Sequence, residues 1–322
     1  MHGVTIRGII YKIESKDYYV LSENDEDIRC TLRGKFKKEF ALKKDKQYKL
    51  DLAVVGDEVE FEMNEDGSGV LTTIEPRRNH ISRKAPKIKG AGYRGERLEQ
   101  VIAANVDNLF IVTSIKSPDF NARQLDRILV TAESSGVIAN IIINKIDLDT
   151  EKSADKLSAS YGSIGYRVFT TCAKNNTGIG KLIESLNGNK NLFWGASGVG
   201  KSSLLNAMFP ELDFNVGEIS SSSDKGKHTT VTSIMKKVSD ETYVIDTPGI
   251  REIDPYGIKK EDLGHYFIEF QDYIHDCRFN TCTHDHEPGC AVTEAAEQGE
   301  ISGERYQSYL NLLETIEEDM NF

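Results

Sequence analysis

The sequence predicts a chain of three parts: a small N-terminal β-barrel, a central α/β domain and a C-terminal helical region that carries a metal site. Three observations predict this division. Short alternating strands fill roughly the first 75 residues, apolar strands alternate with helices from about residue 105, and cysteines and histidines cluster near residue 280. A length of 322 residues is enough for at least two domains with cores of their own.

The N-terminal part contains five candidate strands rich in β-branched residues and separated by turn sequences. They lie at residues 4–14, 17–22, 27–34, 57–63 and 69–75. Five short strands at this spacing are typical of an oligonucleotide-binding (OB) barrel, although an SH3-like barrel has much the same pattern. Residues 76–98 have no apolar period and contain two prolines, so we predict a basic linker there.

The central part alternates apolar strands with helical stretches. Candidate strands lie at residues 108–114, 137–144, 166–171, 191–195 and 242–249. This alternation predicts a mainly parallel sheet with helices on both faces. We therefore expect a barrel at 1–75, a basic linker at 76–98, an α/β domain at 99–253 and a metal-binding helical domain at 254–322.

Charge is distributed unevenly along the chain. The total is 40 Lys+Arg against 51 Asp+Glu, a formal net charge of -11, which excludes a uniformly basic coat for nucleic acid. Residues 1–100 nevertheless carry 20 basic and 18 acidic residues, and the stretches 29–49 and 76–98 each reach a net +7. Together with an OB-type barrel, these stretches favour contact with RNA. The alternative is that they are solvated faces with no partner.

The residues from Gly195 to Ser202 match the phosphate-binding pattern G-x-x-x-x-G-K-[ST] between a strand and a helix. Glycines let backbone N–H groups wrap a phosphate, the lysine supplies a positive charge for the β- and γ-phosphates, and the serine hydroxyl can bind Mg²⁺. The predicted nucleotide-binding residues are Gly195, Ala196, Ser197, Gly198, Val199, Gly200, Lys201, Ser202 and Ser203.

A second motif, Asp246-Thr-Pro-Gly249, ends another apolar strand. An acidic residue at this position can hold Mg²⁺ through water, and the Gly249 amide can meet the γ-phosphate. Two further strand ends predict the base that is read. The carboxylate of Asp147, in the motif Asn144-Lys145-Ile146-Asp147, can accept both N–H groups of guanine, and the backbone of Cys172-Ala173-Lys174 can donate to its carbonyl oxygen. Because α/β ligands bind at strand ends, these motifs together predict a GTP site.

These motifs resemble the conserved elements of GTPases in a rearranged order, since the base-reading elements precede the phosphate loop. With the barrel, the cysteine cluster and the motifs at 104–107 and 226–230, the chain resembles the bacterial circularly permuted GTPases that act on the small ribosomal subunit. The resemblance implies GTP hydrolysis stimulated by that subunit, a role in its late maturation, and contact with its ribosomal RNA. It also implies a first switch at 215–232.

The resemblance further implies that Thr229 or Thr230, of which we favour Thr230, binds Mg²⁺ together with Ser202. Ras-like GTPases place a water-orienting Gln directly after the glycine that corresponds to Gly249. Here that residue is Ile250, so intrinsic hydrolysis should be slow. His228 is a candidate for the missing polar group, and the alternative is an ordinary histidine of a surface loop. The predicted catalytic residues are thus His228, Thr230, Asp246 and Gly249.

Three cysteines and one histidine lie within 14 residues near the C-terminus: Cys277, Cys282, His284 and Cys290. Such a set makes a closed tetrahedral site, which favours one structural Zn²⁺ per chain over a catalytic ion. A disulfide would leave one thiol over, and an odd total of five cysteines favours a reducing compartment. His286 is a rival ligand, and the resemblance favours His284.

We expect a cytoplasmic monomer without a membrane partner. The first residues lack the pattern of a signal peptide, and no apolar run approaches the length of a spanning helix. Two other functions are compatible with the motifs: a GTP-driven switch for a protein partner, and a nucleic-acid-binding module whose GTPase turns over negligibly.

Overall fold

The N-terminal strands close into a barrel. The computed structural model describes residues 5–34, 52–84, 99–212, 214, 233–247 and 255–316. The barrel strands are β1 (Thr5–Glu14), β2 (Asp17–Ser22), β3 (Asp27–Leu32), β4 (Glu58–Met63) and β5 (Gly69–Ile74). They join in the order β1-β2-β3-β5-β4, with β3 and β5 parallel and the other pairs antiparallel. The prediction of an OB-type barrel is confirmed.

The barrel core follows from the alternation of its strands. Ile10, Val20, Phe61 and Leu71 are fully buried and point inward, because successive side chains of a strand face opposite sides. A β-carbon on Gly69 would lie 2.5 Å from the Cys30 sulfur, so the close pairing of β3 with β5 requires a glycine at this position.

The segment predicted as a basic linker contains a strand in its described part. β6 (His80–Lys84) pairs antiparallel with β7 (Glu99–Ala104) in a two-stranded sheet. Asn79 and Asn105 hold this hairpin to its neighbours: the Val106 amide donates to Asn79 Oδ1 at 2.8 Å, and Asn105 Nδ2 donates to the Gly56 carbonyl at 3.1 Å. The expectation of an irregular linker is therefore wrong for residues 80–84, because pairing with β7 overrides the weak strand pattern.

The central sheet has six strands in the order β10-β9-β8-β11-β13-β12. They are β8 (Asn108–Ser114), β9 (Ile138–Asn144), β10 (Arg167–Thr170), β11 (Lys190–Gly195), β12 (Ile234–Ser239) and β13 (Thr242–Asp246). All pairs are parallel except β12 with β13. The described helices of this region are α1 (Ala122–Ser134), α2 (Ser153–Ile164), α3 (Ile179–Glu184) and α4 (Lys201–Met208).

Both faces of this sheet are covered by helices. Along β8, Leu109 and Ile111 belong to the core that includes α1 and α2, whereas Phe110 and Val112 belong to the core that includes α3 and α4. Strands that are buried on both faces are near-continuous apolar runs, and these runs identified the strands in the sequence. The predicted doubly covered α/β sheet is confirmed.

The C-terminal part consists of short helices and 3-10 turns around an aromatic core. Its α-helices are α5 (Lys260–Leu263), α6 (Ala291–Gln298) and α7 (Gly303–Thr315). Phe267, Phe270 and Tyr309 are fully buried together, and Val130 of α1 enters the same core. Within the described ranges, no helix combines the length and the apolarity needed to cross a bilayer.

A buried ionic cluster fastens this part to the central domain. Arg305 of α7 donates to Asp126 of α1 and, at 2.6 Å, to Glu269. Tyr161 of α2 donates to the same Asp126 at 2.9 Å. Arg305 is 4% exposed, so its charge is compensated by these partners rather than by water.

Candidate functional site

The phosphate loop joins the end of β11 to the start of α4. Gly198 and Gly200 adopt positive φ angles of 86° and 90°, a region that other residues rarely adopt. A β-carbon on Gly200 would lie 2.6 Å from Asn144 Nδ2, so the loop also needs glycine for close approach. Ser202 and Ser203 follow Lys201 in the first turn of α4, at the positive end of the helix dipole.

Asp246 lies beside this loop because β13 is the neighbour of β11 in the sheet. Lys201 forms an ion pair with Asp246, and their side chains are 10% and 14% exposed. The hydroxyl of Thr247 donates to the Phe193 carbonyl at 2.9 Å and fixes the chain after β13. The structure therefore brings two of the predicted phosphate-side residues together. Gly249, His228, Thr229 and Thr230 lie outside the described residues, as does the whole of the predicted first switch, residues 215–232.

Asn144 connects three segments at the end of β9. Its Nδ2 donates to the Val199 carbonyl of the phosphate loop at 3.0 Å. Its Oδ1 accepts from the Ala173 amide and from the Thr171 hydroxyl, both at 3.3 Å. One buried amide thus holds the phosphate loop and the 172–174 segment at a set distance from each other.

Lys145 makes a second connection to the phosphate loop. Its Nζ donates to the Gly198 carbonyl at 2.6 Å and to the Ser117 carbonyl after β8. Ile146 and Asp147 begin a 3-10 turn directly after it. Asn144 and Lys145 therefore hold the start of the segment 144–147 against the phosphate loop.

Asp147 and Cys172 lie in direct contact. The Cys172 thiol donates to Asp147 Oδ1 at 3.2 Å, while its backbone amide donates to the Thr177 carbonyl at 3.0 Å. The sequence assigned to residues 172–174 only a backbone role, and it missed this side-chain contact. The two positions are 25 residues apart, so no local pattern could have indicated it.

These segments enclose a cavity of about 340 Å³ at the carboxyl edge of the sheet. Its lining residues are Asn144, Lys145, Asp147, Leu148, Cys172, Ala173, Lys174, Gly200 and Ser203. The volume is within the usual range of about 300–1,000 Å³ for small-molecule sites. Nearly all of the residues predicted from the sequence to read the base line this one cavity.

The four predicted metal ligands also come together. The sulfurs of Cys277 and Cys290 are 3.9 Å apart, and His284 Nδ1 is 3.6 Å from the first and 3.4 Å from the second. Cys282 completes the cluster, with all four ligand atoms within 4.8 Å of one another. Tetrahedral zinc at ordinary bond lengths separates two sulfurs by about 3.8 Å and a sulfur from a nitrogen by about 3.5 Å. The cluster can therefore hold a metal ion of this kind.

The surroundings of the cluster hold its ligands in position. The Tyr306 hydroxyl donates to the His284 carbonyl at 2.8 Å, and the Tyr309 hydroxyl donates to the Thr283 carbonyl at 2.6 Å. Burial raises the pKa of the Cys282 thiol to about 12, so a thiolate there needs a bound cation. His286, the rival ligand, has a side chain that is 81% exposed and lies against Asp285.

Comparison with known proteins identifies the family. The sequence model of the RsgA GTPase matches residues 74–256, and that of the RsgA N-terminal domain matches residues 7–71. The chain belongs to the RsgA GTPase family. The expectation of a GTPase from a circularly permuted family is thereby confirmed.

Relatives of the RsgA family match this chain over nearly its whole length. It is 37% identical to the small ribosomal subunit biogenesis GTPase RsgA 2 of Bacteroides thetaiotaomicron, covering 97% of this chain and 98% of that protein. It is 38% identical to the small ribosomal subunit biogenesis GTPase RsgA of Phocaeicola vulgatus, with the same coverage.

Two solved structures are similar to this RsgA-family chain. The crystal structure of YjeQ from Thermotoga maritima has a TM-score of 0.76 at 34% identity and covers 97% of this chain and 98% of that one. The crystal structure of YloQ, which is described as a circularly permuted GTPase, has a TM-score of 0.73 at 30% identity. The match covers 100% of this chain and 98% of the YloQ chain.

Proposed function

We propose that this RsgA-family GTPase hydrolyses GTP to GDP and phosphate as a nucleotide switch that binds the small ribosomal subunit and assists its late maturation. The observation that carries the proposal is the single cavity where Asp147, the 172–174 segment and the phosphate loop meet. The names of the curated relatives, which refer to biogenesis of the small ribosomal subunit, support the choice of partner. We expect the subunit to stimulate hydrolysis.

Three parts of the site have distinct roles in this proposal: Asp147, the 172–174 segment and the phosphate loop. The Asp147 carboxylate accepts the two N–H groups of guanine, and the 172–174 backbone donates to its carbonyl oxygen. Adenine presents the opposite donor and acceptor pattern, so ATP would leave buried polar groups unpaired. The loop Gly195–Ser203 surrounds the phosphates with backbone N–H groups, and Lys201 adds its charge to the β- and γ-phosphates.

On the phosphate side, the Ser202 hydroxyl and Thr230 would bind Mg²⁺, and Asp246 would hold its water ligands. A bound magnesium ion neutralises charge on the phosphates as the bond to the γ-phosphate breaks. The contact between Lys201 and Asp246 supports this assignment, because it sets the phosphate-binding ammonium beside the cation-holding carboxylate. The Gly249 amide would meet the γ-phosphate, and His228 would supply a polar group to the attacking water.

The Cys277, Cys282, His284 and Cys290 cluster would hold one structural Zn²⁺. Four protein ligands leave no open position for a substrate, so the ion would stabilise the fold of the C-terminal part. Thiols stay reduced most readily in a reducing compartment, and a ribosomal partner would be met in the bacterial cytoplasm, where we expect the protein to act. We propose that it acts there as a monomer.

The barrel and its basic stretches would contact ribosomal RNA. Arg29 and Arg33 lie on the barrel surface, with side chains 63% and 51% exposed. Residues 35–49 of the first basic stretch and 85–98 of the second lie outside the described residues. Because contact with phosphates releases counterions, binding to the subunit should weaken steeply with salt.

The decisive experiment measures GTP hydrolysis by the full chain alone, with purified small subunits and with free ribosomal RNA. We expect strong stimulation by subunits and little by free RNA. Equal, slow rates in all three reactions would favour a nucleic-acid-binding module with negligible turnover. If hydrolysis is substantial in all three reactions and unaffected by subunit or RNA, a switch for a protein partner becomes the better interpretation.

A further inference from the structure

A second, polar cavity of about 420 Å³ lies where the β6–β7 hairpin, helix α1 and the C-terminal part meet. None of its lining residues belongs to the GTP site or to the metal cluster. The residues that carry the argument are Arg77, Arg78, His80, Ser82, Tyr256 and Tyr266. The two arginines and the histidine come from the basic stretch 76–98, to which the GTPase mechanism assigns no role.

Ion pairs fix the basic wall of this cavity. Arg77 Nε donates to Asp57 at 2.7 Å, and His80 Nε2 lies 2.8 Å from Glu99 Oε1. Arg78 Nη2 donates to Asp107 at 2.6 Å and to the Asn105 carbonyl at 3.4 Å. Side chains that are held in this way lose little entropy when a ligand binds, which is the benefit of a preorganised site.

Arg78 has donors left for a ligand. Among the described residues, both hydrogen bonds of its side chain leave from Nη2, and a guanidinium has five N–H groups in a planar fork. Its side chain is 61% exposed. The Nε and Nη1 donors that these two bonds leave over point in different directions, and each can give one charge-assisted hydrogen bond to a phosphate oxygen.

The cavity is also lined by aromatic and hydroxyl side chains. Tyr256 and Tyr266 come from the C-terminal part, and Ser135 comes from the end of α1. Aromatic rings stack on unpaired bases, and hydroxyls bind base edges and the ribose 2′-OH. An apolar ligand does not suit this lining, and the basic wall disfavours a metal cation.

We propose that this cavity receives an unpaired nucleotide of RNA, with its phosphate on Arg78 and its base against the tyrosines. This inference rests on the proposed ribosomal function, which makes single-stranded ribosomal RNA the source of the nucleotide. An occupant would contact residues 256–258, which begin seven positions after Gly249 of the nucleotide motif. The docked RNA and the GTP site would thus share one short segment of chain.

The first test measures the affinity of the full chain for a short fluorescein-labelled single-stranded RNA by anisotropy. We expect R78A to weaken binding about tenfold and to lower the salt slope by about 1. The matched control is R167A, because Arg167 is also an exposed arginine, in β10 of the central sheet, and belongs neither to the barrel, nor to the basic stretches, nor to the lining of either cavity. We expect R167A to change the affinity less than about twofold.

Y256L tests the contribution of the aromatic ring and should weaken binding of the same RNA by about fivefold or more. A 4-thiouridine version of the RNA should crosslink to Tyr256 or Tyr266 in the wild type. The proposal is overturned if R78A and Y256L bind the RNA like R167A, or if crosslinks avoid the cavity. GTP affinity, followed by the fluorescence of the single tryptophan, Trp194, should be the same in all variants and shows that they are folded.

A separate arm distinguishes the source of the nucleotide. Uridine monophosphate should compete weakly with the RNA. If it competes as well as the RNA does, and R78A abolishes that competition, the cavity binds free nucleotides and the RNA assignment is wrong. Stimulation of hydrolysis by subunits is measured independently, so a failure of the ribosomal function is distinguishable from a failure of the cavity assignment.

Discussion

The candidate metal cluster takes all four ligands from 14 residues, Cys277 to Cys290, whereas the cavity proposed to bind the base takes its groups from segments that begin at residues 144, 172 and 195. The cluster lies among turns and short helices. The cavity lies at the ends of three strands of a sheet that is covered on both faces. The residues of the cluster are therefore close in sequence but lie outside the sheet, whereas the residues of the cavity are far apart in sequence but are held by the sheet.

This difference predicts opposite responses to perturbation. We expect the site made from one short loop to depend on its ion, because it lies among turns and short helices and not at the edge of a sheet. A site made by strand ends is already assembled by the sheet, and single changes there should alter selectivity rather than folding. Arg305 connects the two regions, so its removal tests whether they are independent.

Loss of the metal should have the largest effect. We expect C290S, or chelation of the wild type, to remove the zinc and unfold residues 277–316 locally, because structural zinc contributes about 10–16 kcal/mol in small zinc domains. Zinc content and hydrogen exchange of this segment measure the effect. GTP affinity should change less than about threefold. Native exchange protection in the metal-free protein would contradict the structural role.

Removal of the Arg305 charge should come next. R305M leaves Asp126 and Glu269 buried without a cation, which should lower the free energy of unfolding by about 3–5 kcal/mol. Urea denaturation measures this change. Combining R305M with D126N should recover part of the loss, since burial raises the pKa of Asp126 and a neutral group is tolerated there. The control R278M, at an exposed position, should cost less than about 0.5 kcal/mol.

The change D147N should alter base selectivity without altering stability. An amide in place of the carboxylate cannot accept both N–H groups of guanine, so GTP affinity should fall at least about 100-fold while xanthosine triphosphate gains. Competition binding with GTP, xanthosine triphosphate and ATP measures this change in selectivity. D149N is the matched control, because Asp149 accepts backbone hydrogen bonds at the start of α2 and does not line the cavity. Unchanged GTP affinity in D147N would remove Asp147 from the site.

The Cys172 thiol should have the smallest effect. C172A removes the hydrogen bond that orients Asp147 and should weaken GTP binding about two- to fivefold, whereas C172S keeps a donor and should bind like the wild type. C30A, in the barrel core, is the control and should leave GTP affinity unchanged. If C172A and C172S bind GTP equally well, the thiol does not position the carboxylate.

Much of the fold and of both sites was predictable because the determinants are local. Strand alternation predicted the barrel, and continuous apolar runs predicted the sheet strands that are buried on both faces. The glycines of the phosphate loop made it recognisable from its own residues, and the structure shows two of them, Gly198 and Gly200, at positive φ. The spacing of Cys277, Cys282 and Cys290 likewise indicated a metal site, because a short loop brings such ligands close together whatever surrounds it.

By itself, then, the sequence determined the fold class, the phosphate loop and the three cysteines of the candidate metal site, since each depends on chemistry within one strand, turn or loop. Only the tertiary structure decided which histidine joins the cysteines, that Asn144 bridges to Val199, and that Cys172 contacts Asp147. It also turned part of a predicted linker into β6 and created the second cavity. These features depend on contacts between residues far apart in the chain, and such contacts exist only after the sheet and its helices have packed.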